Sequence, residues 1–331
     1  MDYKKHHISL LQQQEITDFN TAALDLFRYQ AQHNAVYRSY IQYLGIEQSA
    51  VQVPEQIPFL PIEFFKEHEV KTDAFEAETV FYSSGTTRQT RSRHFVSDLT
   101  LYNHVTERTF EKFYGPLQSY VVLALLPSYL EQGGSSLVAM VDHFVKKTGQ
   151  QENGFYLREH DKLLQALRQA RQRGKKVLLI GVSYALLDLA EELKGQEDFG
   201  GVIVMETGGM KGRRREMIRE ELHAQLKKGF GVDAIHSEYG MTELLSQGYS
   251  KGEGIFWPGY TMRILLRDLN DPFDISPEHR SGGINVIDLA NVDSCAFIET
   301  KDIGRVHTDG SFEVLGRFDN SDIRGCNLLV V

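Results

Sequence analysis

Along the chain, apolar residues fall first into a helical period and later into short continuous runs. Residues 10–44 carry apolar positions at helical spacing and predict two helices before Gly45. Pro54, Pro58 and Pro61 then punctuate a connector leading to Phe64 and Phe65. Residues 79–82 read as a short strand running into a Gly-rich turn. A helix is predicted over 98–113, with Asp98 as its N-cap, and an apolar strand over 120–126, stopped by Pro127.

The second half is more regular. An amphipathic helix over 161–173 is closed by Gly174, and Lys175 and Lys176 introduce a buried strand at 177–180. A helix over 184–194, a strand over 202–205 and a helix over 213–228, ended by two lysines and Gly229, follow. Alternating strands and helices predict parallel pairing with right-handed crossovers, which places ligands beyond the carboxyl ends of the strands. After Gly254 the pattern changes to short strands at 261–266, 283–289 and 295–299, with Asp309-Gly310 as a hairpin turn. The fold class expected is therefore α/β with an attached β-rich part.

Composition narrows the function. The chain has 331 residues, 41% hydrophobic and 24% charged, an ordinary globular balance. Its net charge of -9 and pI near 5.8 argue against a grip on the phosphate backbone of nucleic acid, but not against a small anion held by a few local cations. No apolar run approaches the length of a membrane span and the first residues do not read as a signal peptide, so a cytoplasmic protein is expected. Two cysteines, Cys295 and Cys326, make neither a disulfide framework nor a metal cluster. His6, His7, His94, His143 and His307 show no metal-ligand spacing.

Four stretches carry candidate chemistry. In the first, Ser83, Ser84, Gly85, Thr86, Thr87 and Arg91 gather hydroxyls, backbone N–H groups and charge that can converge on phosphate, without the Gly-Lys-Ser/Thr ending of a Walker loop. An ordinary surface hairpin has the same composition. Gly208 and Gly209, following a strand, let a planar ring or ribose lie against the backbone, and also suit a plain tight turn. Tyr239, Gly240, Thr242 and Glu243 could supply an adenine contact, a phosphate hydrogen bond and a Mg²⁺ ligand. Asp302 suits a bidentate grip on ribose hydroxyls, and Arg317 follows after the Asp309-Gly310 turn.

The ordered set resembles the acyl- and aryl-adenylate-forming superfamily of acyl-CoA synthetases, luciferases and adenylation domains. The match runs from about residue 80 to the end. It implies ATP and Mg²⁺ as cofactors and the large N-terminal domain of that fold, with layered, largely parallel sheets. By resemblance, residues 83–87 with Arg91 form the phosphate loop, and Gly208 and Gly209 fall in the adenine-contacting turn. Tyr239 lies along adenine, with Gly240 beside it for close approach. Thr242 touches the α-phosphate and the acyl carboxylate, Glu243 holds Mg²⁺, Asp302 binds ribose, and Arg317 stands just before the hinge.

Two departures refine the resemblance. The superfamily continues past its hinge into a small domain with a catalytic lysine, whereas this sequence ends fourteen residues after Arg317. That ending, with Pro127-Ser128 and Gly134-Ser135-Ser136-Leu137, is most similar to the acyl-protein synthetases of bacterial fatty-acid reductase systems, which carry a cysteine near the C-terminus. The family's cysteine takes the acyl group from the adenylate and passes it to a partner reductase; here it corresponds to Cys326. Arg324 nearby would favour its thiolate. Cys295, in an alternating apolar stretch, reads as core. The expected organisation is an adenylate-forming core over 1–316, with a helical part (1–75), an α/β part (76–253) and a β-rich subdomain (254–316), and a truncated hinge with a terminal hairpin over 317–331. The expected activity is ATP-dependent activation of a carboxylic, fatty acid and its loading onto Cys326. The alternatives are a CoA ligase or carrier-protein loader, and a non-catalytic nucleotide-binding subunit.

Overall fold

The computed structural model describes residues 2–83, 91–126, 134–193, 195, 197–208, 215 and 217–318. The N-terminal region forms three helices rather than the two expected: α1 (Tyr3–Gln13), α2 (Phe19–His33) and α3 (Ala35–Tyr43). The apolar periodicity hides two breaks made by polar caps. Asp18 accepts from the Asn20 N–H at 2.9 Å and Asn34, in extended conformation, from the Tyr37 N–H at 3.0 Å, so each begins a new helix. These helices are anchored by buried polar contacts. Gln30 Nε2 donates to the carbonyls of Asn291, Val292 and Ser294, and the His7 ring bonds the Leu289 carbonyl.

The short β1 (Leu60–Pro61) and α4 (Phe64–Glu67) lead to a separate two-stranded hairpin, β2 (Thr79–Tyr82) and β3 (Arg93–Val96), in antiparallel register with Tyr82 opposite Arg93. There follow α5 (Leu99–Tyr114), β4 (Tyr120–Leu125), α6 (Ser136–Thr148), β5 (Gly154–Phe155), α7 (His160–Gln172), β6 (Lys176–Val182), α8 (Ser183–Leu193), β7 (Val202–Thr207), α9 (Arg219–Phe230) and β8 (His236–Tyr239). Asp98 caps α5 as expected, 2.7 Å from the Thr100 N–H.

Strands β5, β4, β6, β7 and β8 pair in parallel in that order. All six residues of β4, and six of the seven of β6, are buried, which is why they read as continuous apolar runs. The antiparallel strands β9 (Gly248–Ser250), β10 (Ile255–Pro258), β11 (Met262–Arg267), β12 (Gly282–Asp288), β13 (Phe297–Val306) and β14 (Phe312–Arg317) continue the same sheet beyond β8 in the order β9, β10, β14, β13, β12, β11; β1 pairs with β13.

Two expected boundaries shift. The described part of the helix expected over 213–228 begins at Arg219 and passes through Gly229 to Phe230; Gly231, at φ 66°, ends it in the left-handed region. Gly229 is instead where α9 lies against α8: a Cβ there would stand 2.5 Å from that of Ala190. The strand expected over 295–299 is the longer β13, paired on both sides by β12 and β14, while Cys295 precedes it fully buried, as a core residue should be.

Candidate functional site

Three of the sequence-predicted residues meet across the sheet. Tyr239 ends β8, and Asp302 of β13 lies opposite Arg317 of β14. The Tyr239 hydroxyl donates to Asp302 Oδ2 at 3.0 Å, and Arg317 Nε stands 3.6 Å from Oδ1 of the same carboxyl. The Tyr239 ring is buried edge-on between Phe312 and Phe256, with centroids 5.2 and 6.0 Å away. Burial pushes the Asp302 carboxyl above the usual carboxylate range, and the Arg317 guanidinium opposes that rise. The Arg317 side chain is two-thirds exposed, so this charge is open to a ligand from solvent.

Thr242 and Glu243 follow β8 in a loop pinned from beneath. Asp288, fully buried, accepts from the backbone N–H groups of Leu245, Ser246 and Ala290 and from the Ser246 hydroxyl. The His94 ring bonds the Thr242 carbonyl at 2.8 Å, and Asn291 Nδ2 donates to the Glu243 carbonyl at 2.7 Å. Burial lowers His94 to about 4, so it stays neutral in this role. The Glu243 carboxyl is buried and raised by that burial, with the Ser92 hydroxyl, Arg317 and Lys66 acting the other way.

Ser92 also joins this loop to the first motif. Its backbone N–H donates to the Ser83 hydroxyl at 2.9 Å, at the stem of the β2–β3 hairpin. Arg91 closes the same stem: its Nε donates to the Ser83 carbonyl at 2.5 Å and its guanidinium covers the Tyr82 ring at 5.2 Å. Ser84, Gly85, Thr86 and Thr87 lie outside the described residues, as do Gly209 and Cys326. Gly208, at φ 68° past the end of β7, accepts from the Ser183 hydroxyl through its carbonyl at 2.7 Å. Gly240 is exposed at the end of β8. The structure thus brings together Tyr239, Asp302 and Arg317 directly, and Ser83 with Glu243 through Ser92.

Sequence reasoning missed the supports. Asp288, Asn291 and Ser92 belong to no motif, and His94, set aside for lack of metal-ligand spacing, is buried against the Thr242 carbonyl. Their signal was three-dimensional, apart from one hint: a carboxylate, Asp288, at the end of a largely apolar strand.

No family model matches the chain, and no match to it is found among curated proteins. Solved structures do match, and their class is that of the acyl-adenylate-forming enzymes, whose large-domain α/β fold this chain shares. One is a 2-hydroxyisobutyryl-CoA ligase in complex with 2-HIB-AMP, at TM-score 0.63 and 11% identity over 90% of this chain and 67% of that one. ATP-bound MatB from Rhodopseudomonas palustris aligns at TM-score 0.52 and 17% identity over 74% of this chain and 49% of its own. The O-succinylbenzoate coenzyme A synthetase MenE from Bacillus subtilis, in complex with AMP, aligns at 0.51 and 18%, over 75% and 51%. The chain spans about half the length of the MatB structures. At these identities the likeness is one of fold. No helix among the described residues is long and apolar enough to cross a membrane.

Proposed function

We propose that the protein is an ATP-dependent ligase that activates a carboxylic acid as acyl-AMP. The observation that carries this reading is the convergence of Tyr239, Asp302 and Arg317, from three strands, on one carboxyl at the open end of β8. A carboxylate there accepts from ribose hydroxyls, and an exposed guanidinium beside it meets a phosphate or the departing pyrophosphate. The acid's carboxylate oxygen attacks the α-phosphorus, the bond to the β-phosphate oxygen breaks, and pyrophosphate leaves. Thr242 would meet the α-phosphate in this scheme.

Mg²⁺ fits the residues present. No described cluster forms a protein cage for a metal, and Mg²⁺ on a triphosphate needs only one or two protein carboxylates. Glu243 supplies one, and the burial that raises it would be relieved by a cation at its oxygens. The ion would neutralise charge on the phosphates.

The finer reading is an acyl-protein synthetase for long-chain fatty acids. Cys326 would attack the carbonyl carbon of acyl-AMP as thiolate, releasing AMP and leaving a thioester that an acyl-accepting protein, a reductase or carrier, then takes. Incubation with ATP and radiolabelled tetradecanoate should leave hydroxylamine-labile label on the protein, absent from Cys326→Ser. Label retained by Cys326→Ser would sink the self-acylation step, and free acyl-CoA formed on adding CoA would favour a CoA ligase instead.

A further inference from the structure

Gly208 and Tyr239 stand at the carboxyl ends of β7 and β8. The amino end of the same parallel strands carries a different chemistry. Lysines elsewhere are commonly paired with carboxylates, as Lys4 is with Asp293, Lys146 with Asp142 and Lys162 with Glu159. Around the amino ends of β4, β6 and β8 they are not. Lys112 lies in the last turn of α5, which leads to β4, and Lys176 is the first residue of β6. Lys227 lies in the last turn of α9, which leads to β8. Lys251 follows β9, whose Ser250 pairs with Ser237 of β8. All four are exposed, and among the described residues none has a carboxylate within ion-pairing distance.

Three of them lie against aromatic rings instead. Lys112 Nζ stands 5.7 Å from the centre of the Phe113 ring, Lys176 Nζ 5.5 Å from that of Tyr120 and Lys251 Nζ 5.7 Å from that of Tyr114. The rings form one patch. The Tyr120 hydroxyl donates to the Tyr114 carbonyl at 2.8 Å, and the centroids of Phe113 and Tyr114 are 6.4 Å apart. Phe113, Lys227, Lys251 and Trp257 then line a cavity of about 800 Å³ between α9 and the β9–β10 turn. Trp257, the chain's only tryptophan, is 41% exposed there. Tryptophan is among the residue types that most often anchor protein partners.

The charges narrow the choice of partner. Within the cavity, Arg219, Lys227 and Lys251 are balanced by Glu220, Asp233 and Glu253. The surplus of positive charge lies past Phe113, at Lys112 and Lys176. A flat anionic bilayer would leave the cavity unfilled, and a two-fold contact with a second copy would set lysine against lysine. A protein segment with an apolar side chain for the cavity, and carboxylates to one side of it, meets both features.

We propose that this face is a docking surface for an acidic segment of another protein, which seats an apolar side chain against Trp257 and Phe113 and sets carboxylates on Lys112 and Lys176. The face lies at the opposite end of β8 from Tyr239, so a docked partner leaves the candidate nucleotide residues open. Nothing in it depends on the adenylation reading.

The test uses Trp257 as reporter, since no other tryptophan contributes emission. The probe is a synthetic peptide with a run of glutamates ahead of a leucine–phenylalanine anchor, titrated into the full chain at low salt without ATP. Emission should move saturably to shorter wavelength as the ring leaves water. Lys112→Glu with Lys176→Glu should raise the Kd at least about tenfold, because like charges then face each other. Trp257→Ala, read from the anisotropy of a labelled peptide, should raise it about thirtyfold, the worth of a hot-spot aromatic. Since these side chains are exposed, the melting temperature should not move in either variant. No shift with the peptide overturns the proposal, as does a shift that the charge reversal leaves unchanged or that a lysine version of the peptide gives equally. A shift with phosphatidylglycerol vesicles but not with the peptide overturns it in favour of a membrane contact. A shift that grows with protein concentration alone overturns it in favour of a contact between copies.

Discussion

At the scale of single residues, the site is a set of buried or half-buried carboxyls with one exposed guanidinium, Arg317, beside them. Asp302 is the most consequential, because two groups converge on it and its carboxyl would carry the ribose. Asp302→Asn removes the charge and one acceptor. It should weaken AMP binding about tenfold or more, the worth of a charged hydrogen bond, with little change in melting temperature; calorimetric titration of AMP checks this. Glu238 has a stability consequence of its own. Its carboxyl rises on folding from 4.5 to about 7, so the folded state holds the proton more tightly. The stability this contributes is fully present below pH 4.5 and is lost as pH rises through 7. Glu238→Gln should therefore stabilise the protein at pH 8 relative to pH 5, by on the order of 1–3 kcal/mol; urea melts at the two pH values measure it. Equal effects at both would contradict the assigned burial.

At the scale of elements, the loop after β8 matters most, since it carries Thr242 and Glu243. Nothing in its own sequence makes it rigid. Asp288 does so from β12 by taking four donors, and His94 of β3 and Asn291 fix the two carbonyls. Asp288→Ala leaves those donors unsatisfied in the core and should cost about 3 kcal/mol or more, read by chemical denaturation. The elements were legible unevenly, and for physical reasons. Buried parallel strands such as β4 and β6 announce themselves as apolar runs, and helix α5 by its Asp98 cap. The N-terminal helices were miscounted because caps at Asp18 and Asn34 interrupt the chain without interrupting the apolar period. Helix α9 was ended early because Gly229 looks like a terminator in sequence, while its use is close packing on Ala190. Of the candidate site, Tyr239, Thr242, Glu243, Asp302 and Arg317 stood in short motifs and could be picked out. Those acting from behind, Asp288, Asn291 and Ser92, come from distant segments and become visible only when the sheet assembles.

At the scale of the whole molecule, one sheet joins the parallel strands to the antiparallel ones, so that β8, β13 and β14 bring Tyr239, Asp302 and Arg317 to a single point. The fold is shared with structures that hold ATP, AMP or an acyl-adenylate, and the central claim is the proposal that this chain adenylates a carboxylic acid. The measurement that tests it most directly is carboxylate-dependent ATP–pyrophosphate exchange across a panel of acids, short to long, aliphatic and aryl. Acid-dependent exchange by the wild type, strongest with long-chain fatty acids and reduced at least about tenfold in Asp302→Asn at subsaturating ATP, is the expected result. ATP binding without exchange for any acid in the panel would contradict the claim and mark the protein as a nucleotide-binding subunit without turnover.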